Sequence, residues 1–161
     1  MTKAISTFAL VAVLTAALAA ASLFATQKGY PQGAVGLGRL DGLANAATFI
    51  PLAAIYALSA VLLMILPVRA ASFVLVNATD ALFWTTVALL GTILGVLAAR
   101  AAFGQTGALW ALADWQFAFA FAVVVCHFLL NELRRNILLR SVGLVAFIAA
   151  TLACLYWSFR F

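Results

Sequence analysis

Charge is nearly missing from this chain. Charged residues fill 8% of its 161 positions and apolar residues fill 68%, whereas a soluble domain is about a quarter charged and about half apolar. A water-soluble globular protein is therefore excluded. Disorder is excluded too, because it needs low hydrophobicity. Histidine occurs once and cysteine twice. One histidine rules out a bis-His haem within a single chain, and one His with two distant Cys does not make a zinc site. Basic residues exceed acidic ones by nine to four, but they stand singly between apolar runs. No basic face interleaved with aromatics is present for nucleic acid. They read as topology signals and lipid-headgroup contacts.

What the chain does have is long apolar runs. A helix needs roughly 20 apolar residues to cross a hydrocarbon core of about 30 Å. Stretches 4–26, 46–68, 81–99, 109–130 and 137–159 meet or approach that length. None alternates with period two, as a transmembrane β-barrel strand would. In lipid the backbone must satisfy itself, which leaves helices. The expectation is an all-α integral membrane protein, a single domain over 1–161 built as a bundle of about five transmembrane helices with short loops. Lys3, an apolar middle and the small residues Ala21, Ser22 and Ala25 give the first run some features of a secretory signal. It is long for a signal and is read as a spanning helix.

With five spans, Lys3, Arg69, Arg134, Arg135 and Arg140 share one side, and Lys28, Arg39, Arg100 and Arg160 share the other. The dense group Arg134, Arg135, Arg140 makes its side the cytoplasmic one and implies headgroup contacts there. The N-terminus then lies inside and the C-terminus outside. Trp110, Trp115 and Trp157 fall near the outer face and Trp84 near the inner one, as aromatic belts do. The alanine-rich helices fit a bacterial inner membrane. Residues 27–45 hold Gly29, Gly33, Gly36, Gly38 and Gly42 and are expected to form a flexible external segment or a partly re-entrant one. They lack the strand context and Gly-Lys-Ser/Thr ending of a phosphate loop.

Few polar groups fall within the apolar runs. His127 sits near the inner end of the fourth run. It offers a ligand to haem or a chlorophyll-type pigment, or a hydrogen bond to a quinone carbonyl; otherwise it is an interfacial histidine bonded to a carbonyl or a headgroup. Asp114 is expected one turn inside the fourth helix. There it could bind a proton or cation, pair with Arg100, or sit favourably at the helix dipole. Asp80 reads as the N-cap of the third helix, and Asp41 as a solvated loop residue. Asp114 and His127 lie about 20 Å apart along a helix, too far for one catalytic pair. Cys126 and Cys154 fall in opposite membrane halves and read as packing residues. Gly91 and Gly95, with Ala88 and Ala99, form a small-residue stripe that lets another helix approach closely. Phe117, Phe119, Phe121 and Phe128 give the fourth helix a bulky face, read as lipid contact and core filling.

The segment Trp110 to Trp115, followed by an apolar run and His127, resembles the tryptophan-rich segment of the cytochrome c assembly and haem-handling proteins. The order is inverted at Asp114-Trp115 and no proline follows the Asp, so no function is carried over from it. The leading expectation is a non-catalytic accessory, assembly or scaffold subunit that associates with other membrane subunits or with itself. Behind it stand a redox or light-harvesting subunit using His127, a small carrier or channel using Asp114 or Asp80, and a membrane enzyme.

Overall fold

The computed structural model describes residues 2–43, 46–65 and 72–159, with the side chains of 46–49, 72–73, 115–116, 119, 131–134 and 158 left aside. Every regular element among them is helical: α1 (Thr2–Gln27), α2 (Pro31–Leu43), α3 (Ala46–Ile65), α4 (Ser72–Ala102), a 3-10 segment (Thr106–Ala113), α5 (Trp115–Arg135) and α6 (Ile137–Phe159). Three helices are long and apolar enough to cross a membrane: Thr2–Gln27, Val74–Ala102 and Ile137–Trp157. The apolar stretches in α3 and α5 are shorter, Ile50–Ile65 and Ala120–Leu130. The chain divides into two compact units, 1–48 with 87–119, and 49–86 with 120–161.

The first unit departs most from expectation. The glycine-rich segment is largely the helix α2. Each interior glycine costs a helix about 1 kcal/mol relative to alanine, so local propensity opposes this outcome. Two features outweigh it. Gly29, at φ +83°, ends α1 in a Schellman turn: Tyr30 N–H donates to the Ala25 carbonyl and Gly29 N–H to the Thr26 carbonyl, both at 3.0 Å. Pro31 then opens α2 at the position where its missing N–H is harmless. The glycines also let α2 lie directly on α1. A Cβ on Gly33 would stand 2.5 Å from the Ser22 carbonyl oxygen, and one on Gly36 would stand 2.8 Å from Ser22 Oγ.

The second half of α4 packs on α1 in the same way. A Cβ on Gly95 would lie 2.5 Å from the Ala12 carbonyl oxygen and 2.9 Å from Ala16 N, and one on Gly91 would lie 3.0 Å from the Phe8 carbonyl oxygen. Ala19, Leu23, Val96 and Ala99 are buried together beside them, with Leu37, Leu40 and Phe103 packed around. A second Schellman turn ends α4: Gly104 takes φ +83° and Gln105 N–H reaches the Arg100 carbonyl at 2.9 Å.

In the second unit the core is Tyr56, Ala60, Met64, Phe83, Val123, Phe147 and neighbouring apolar side chains. Asn136 separates α5 from α6, and its Oδ1 caps α6 by accepting from Leu138 N–H at 3.1 Å. One guanidinium nitrogen of Arg140 donates to the Met64 carbonyl in the last turn of α3, a place where both the free carbonyl and the helix dipole favour a cation.

Two expected boundaries are corrected. Asp80 does not cap a helix, because α4 begins at Ser72 and carries Asp80 in its interior. The polar run Asn77 to Asp80 is accommodated within the helix, where Thr79 Oγ1 bonds back to the Leu75 and Val76 carbonyls at 3.0 and 2.8 Å. The expected fourth span, 109–130, is broken. Residues up to Ala113 form the 3-10 segment, Asp114 is extended at φ −66° and ψ 137°, and α5 starts at Trp115.

Candidate buried polar site

Asp80 and Phe83 lie three residues apart on α4 and therefore share a helix face. Tyr56 comes from α3 and His127 from α5. In the second unit these four side chains meet. The His127 ring stacks on Phe83 with centroids 4.0 Å apart and planes 13° from parallel. Phe128 closes edge-on against Phe83 at 5.4 Å. His127 Nε2 stands 3.5 Å from Asp80 Oδ1, which makes an ion pair when the imidazole is protonated. The Tyr56 ring is 6.1 Å from the imidazole. Tyr56 is fully buried.

Both the Tyr56 hydroxyl and His127 Nδ1 are buried without a hydrogen-bond partner. A buried polar group left unpaired costs about 1–3 kcal/mol, and this cluster holds two. The protonation state decides which partner fits. In a neutral imidazole carrying its proton on Nε2 toward Asp80, Nδ1 accepts and the Tyr56 hydroxyl donates. A group that both donates and accepts, such as a water or a hydroxyl, complements that pair. In an imidazolium held by ionised Asp80, Nδ1–H and the Tyr56 O–H both donate, and the complement is an acceptor such as a quinone carbonyl. Axial ligation of a macrocycle suits the arrangement less well, because Nε2 faces a carboxylate and Phe83 covers the ring face.

The remaining candidates are dispersed. Asp114 lies in the first unit and His127 in the second. Arg100 pairs with Asp41 at 2.5 Å, so of the alternatives for Asp114 the pairing with Arg100 is not the one seen, and Asp41 keeps 43% of its side chain exposed while it holds the guanidinium. The helix α2 is the reason, since it brings Asp41 back along the chain to α4. Asp114 caps α5 through its backbone, its carbonyl accepting from Phe117 N–H at 3.1 Å. Gly91 and Gly95 are turned toward α1, as described above. Arg135 ends α5 and is exposed, Arg140 serves α3, and the side chain of Arg134 lies outside the described residues. Cys126 and Cys154 form no disulfide with each other.

Sequence reasoning did not find Tyr56 or Phe83, which look like ordinary apolar filling within their runs. The Asp80–His127 pair did leave a signal. Asp80 precedes one apolar run and His127 lies near the end of the next, where antiparallel helices bring such ends together. No protein-family model, curated protein or solved structure matches this chain.

Proposed function

We propose that this chain is a five-span membrane protein that serves a larger membrane complex as a non-catalytic accessory, assembly or scaffold subunit. The observation that carries this reading is how the hydroxyls within the helices are used. Thr15, Ser59, Thr86, Thr92 and Thr151 each donate to the carbonyl four residues back in their own helix, at 2.7–2.9 Å. A hydroxyl whose proton is given to its own helix has no donor left for a solute, which weighs against the carrier and enzyme readings. The helices α3 and α5 join the three longer spans in this reading. At 20 and 21 residues and 1.5 Å per residue, each covers about 30 Å. The dense basic group at Arg134, Arg135 and Arg140 supports an inside N-terminus and an outside C-terminus, in a bacterial inner membrane.

Purification in mild detergent tests this directly, with mass spectrometry and a visible spectrum taken on one peak. The expected result is a larger assembly with no pigment belonging to this subunit. A solitary pigmented peak would sink the proposal.

A second reading is favoured by the unpaired Tyr56 hydroxyl and His127 Nδ1: a quinone or another small hydrogen-bonding ligand is held there. Tyr56→Phe separates the two readings. Without a ligand, removing an unsatisfied buried hydroxyl leaves stability unchanged or raises it by about 1 kcal/mol. With a bound quinone, the same change lowers the quinone content of the purified protein and lowers its melting temperature. Lipid extracts and thermal melts of Tyr56→Phe beside wild type distinguish the outcomes.

A further inference from the structure

We propose that a cavity in the first unit, beside Arg100, binds the zwitterionic headgroup of an aminophospholipid, in which a phosphate and a primary ammonium are joined by a two-carbon link. The inference rests on reading α4 as a membrane span. The cavity measures about 410 Å³, and its charged wall is Asp41, Arg100 and Asp114.

Each part of that headgroup meets an unmet need of the cavity. Arg100 gives one guanidinium nitrogen to Asp41 at 2.5 Å, while its Nε is buried and donates to nothing. A phosphate meets the 27% of the Arg100 side chain that is exposed, and guanidinium matches phosphate in shape as well as in charge. The Asp41–Arg100 pair is neutral as a whole, so Asp114 leaves the cavity with one negative charge. Its carboxylate is exposed and has no ion-pair partner among the described residues. An ammonium answers it. Trp110 lines the same cavity with 80% of its surface exposed, and an indole face attracts a cation.

Position agrees with chemistry. Arg100 lies two residues before the end of the Val74–Ala102 span, at the depth where hydrocarbon gives way to headgroups. Ile93, Val96 and Leu97 extend the cavity wall down α4, the direction an acyl chain takes from a headgroup held at Arg100. A wholly anionic lipid would satisfy Arg100 but would bring nothing to Asp114 and Trp110. A soluble amine would satisfy those two and bring no anion to the Arg100 guanidinium.

The test uses the full chain in bilayer discs of equal phosphatidylethanolamine and phosphatidylglycerol, released into native mass spectrometry. Wild type is expected to carry phosphatidylethanolamine in excess. Asp114→Asn should reduce that excess about fivefold and Trp110→Ala about threefold, the loss of one exposed charge pair and of one cation–π contact. Neither side chain makes a described hydrogen bond within the fold, so both variants should fold, and their melting temperatures check this. Soluble glycerophosphoethanolamine is added in a parallel arm. Failure to compete assigns the site to the bilayer lipid, whereas full competition gives the same headgroup chemistry a soluble source. Equal retention of the two lipids by wild type, or an unchanged excess in Asp114→Asn, overturns the proposal. Alkaline carbonate extraction reads the membrane premise separately, because a chain released by carbonate fails that premise whatever it binds.

Discussion

Gly95→Leu is expected to cost the protein about 3 kcal/mol or more and to give a broadened, early melting transition. In a bilayer, helices are not driven together by the hydrophobic effect, because lipid tails are as apolar as leucine. What holds α1 to α4 is close van der Waals contact, and that contact exists because Gly91 and Gly95 have no side chain. Even a single Cβ at Gly95 would stand 2.5 Å from the Ala12 carbonyl oxygen. The obstacle is backbone, so no rotamer change relieves it and the helices must separate along their whole line of contact. Gly38 provides the control. An added Cβ there meets nothing within 4 Å, so Gly38→Ala should be neutral or should stabilise α2 by up to about 1 kcal/mol. Thermal melts in one detergent settle both. If Gly95→Leu melts with wild type, tight α1–α4 packing is not what stabilises this unit.

The second large effect is expected at Phe83. This ring is 3% exposed and is the platform on which His127 stacks at 4.0 Å. Phe→Ala in a soluble core costs about 3–5 kcal/mol, as a transfer term plus a cavity term. Under the proposed membrane reading the transfer term largely disappears, since the unfolded reference is already in lipid. The cavity term remains, and for a void near 100 Å³ it comes to about 2 kcal/mol. Phe83→Ala should also free the imidazole to rotate. Nuclear magnetic resonance of ring-labelled histidine is a clean readout, because the chain has one histidine. A sharp, shifted signal with faster ring dynamics is expected. An unchanged His127 signal would show that Asp80 alone fixes the ring.

Helix content was written in the composition, and the ends of the apolar runs were close to the ends of α1 and α6. The failures cluster where a local signal was real and something distant outweighed it. Asp80 has the residue type of an N-cap, yet the helix continues through it, with Thr79 bonded back to its own helix. The glycines of α2 read as a flexible segment, because glycine weakens a helix in isolation. Only the close approach of Ser22 and Thr26 shows what those glycines permit. The Gly29-Tyr30-Pro31 turn was legible in the sequence and would have argued for two helices there. At the candidate site, the placement of Asp80 and His127 at neighbouring run ends was readable. Tyr56 and Phe83 were not, since an aromatic residue in an apolar run carries no mark of what it will face.

The Schellman turn at Gly29 bears on the order in which the chain assembles. The close glycine contacts of α2, at Gly33 and Gly36, are made to the helix just before it, across a turn of a few residues, so little loop entropy opposes their closure. The contacts of Gly91 and Gly95 must wait until α3 and most of α4 have been synthesised. Contacts of low sequence separation form fastest, and chains leaving the ribosome fold from the N-terminus. The α1–α2 hairpin is therefore the surface on which the later half of α4 is received. A bulky residue at Gly33 would act early, by denying α4 its docking partner, and would show as poor membrane insertion and low yield. A bulky residue at Gly95 would act late, on a hairpin already closed, and would show as an inserted but loosely packed protein.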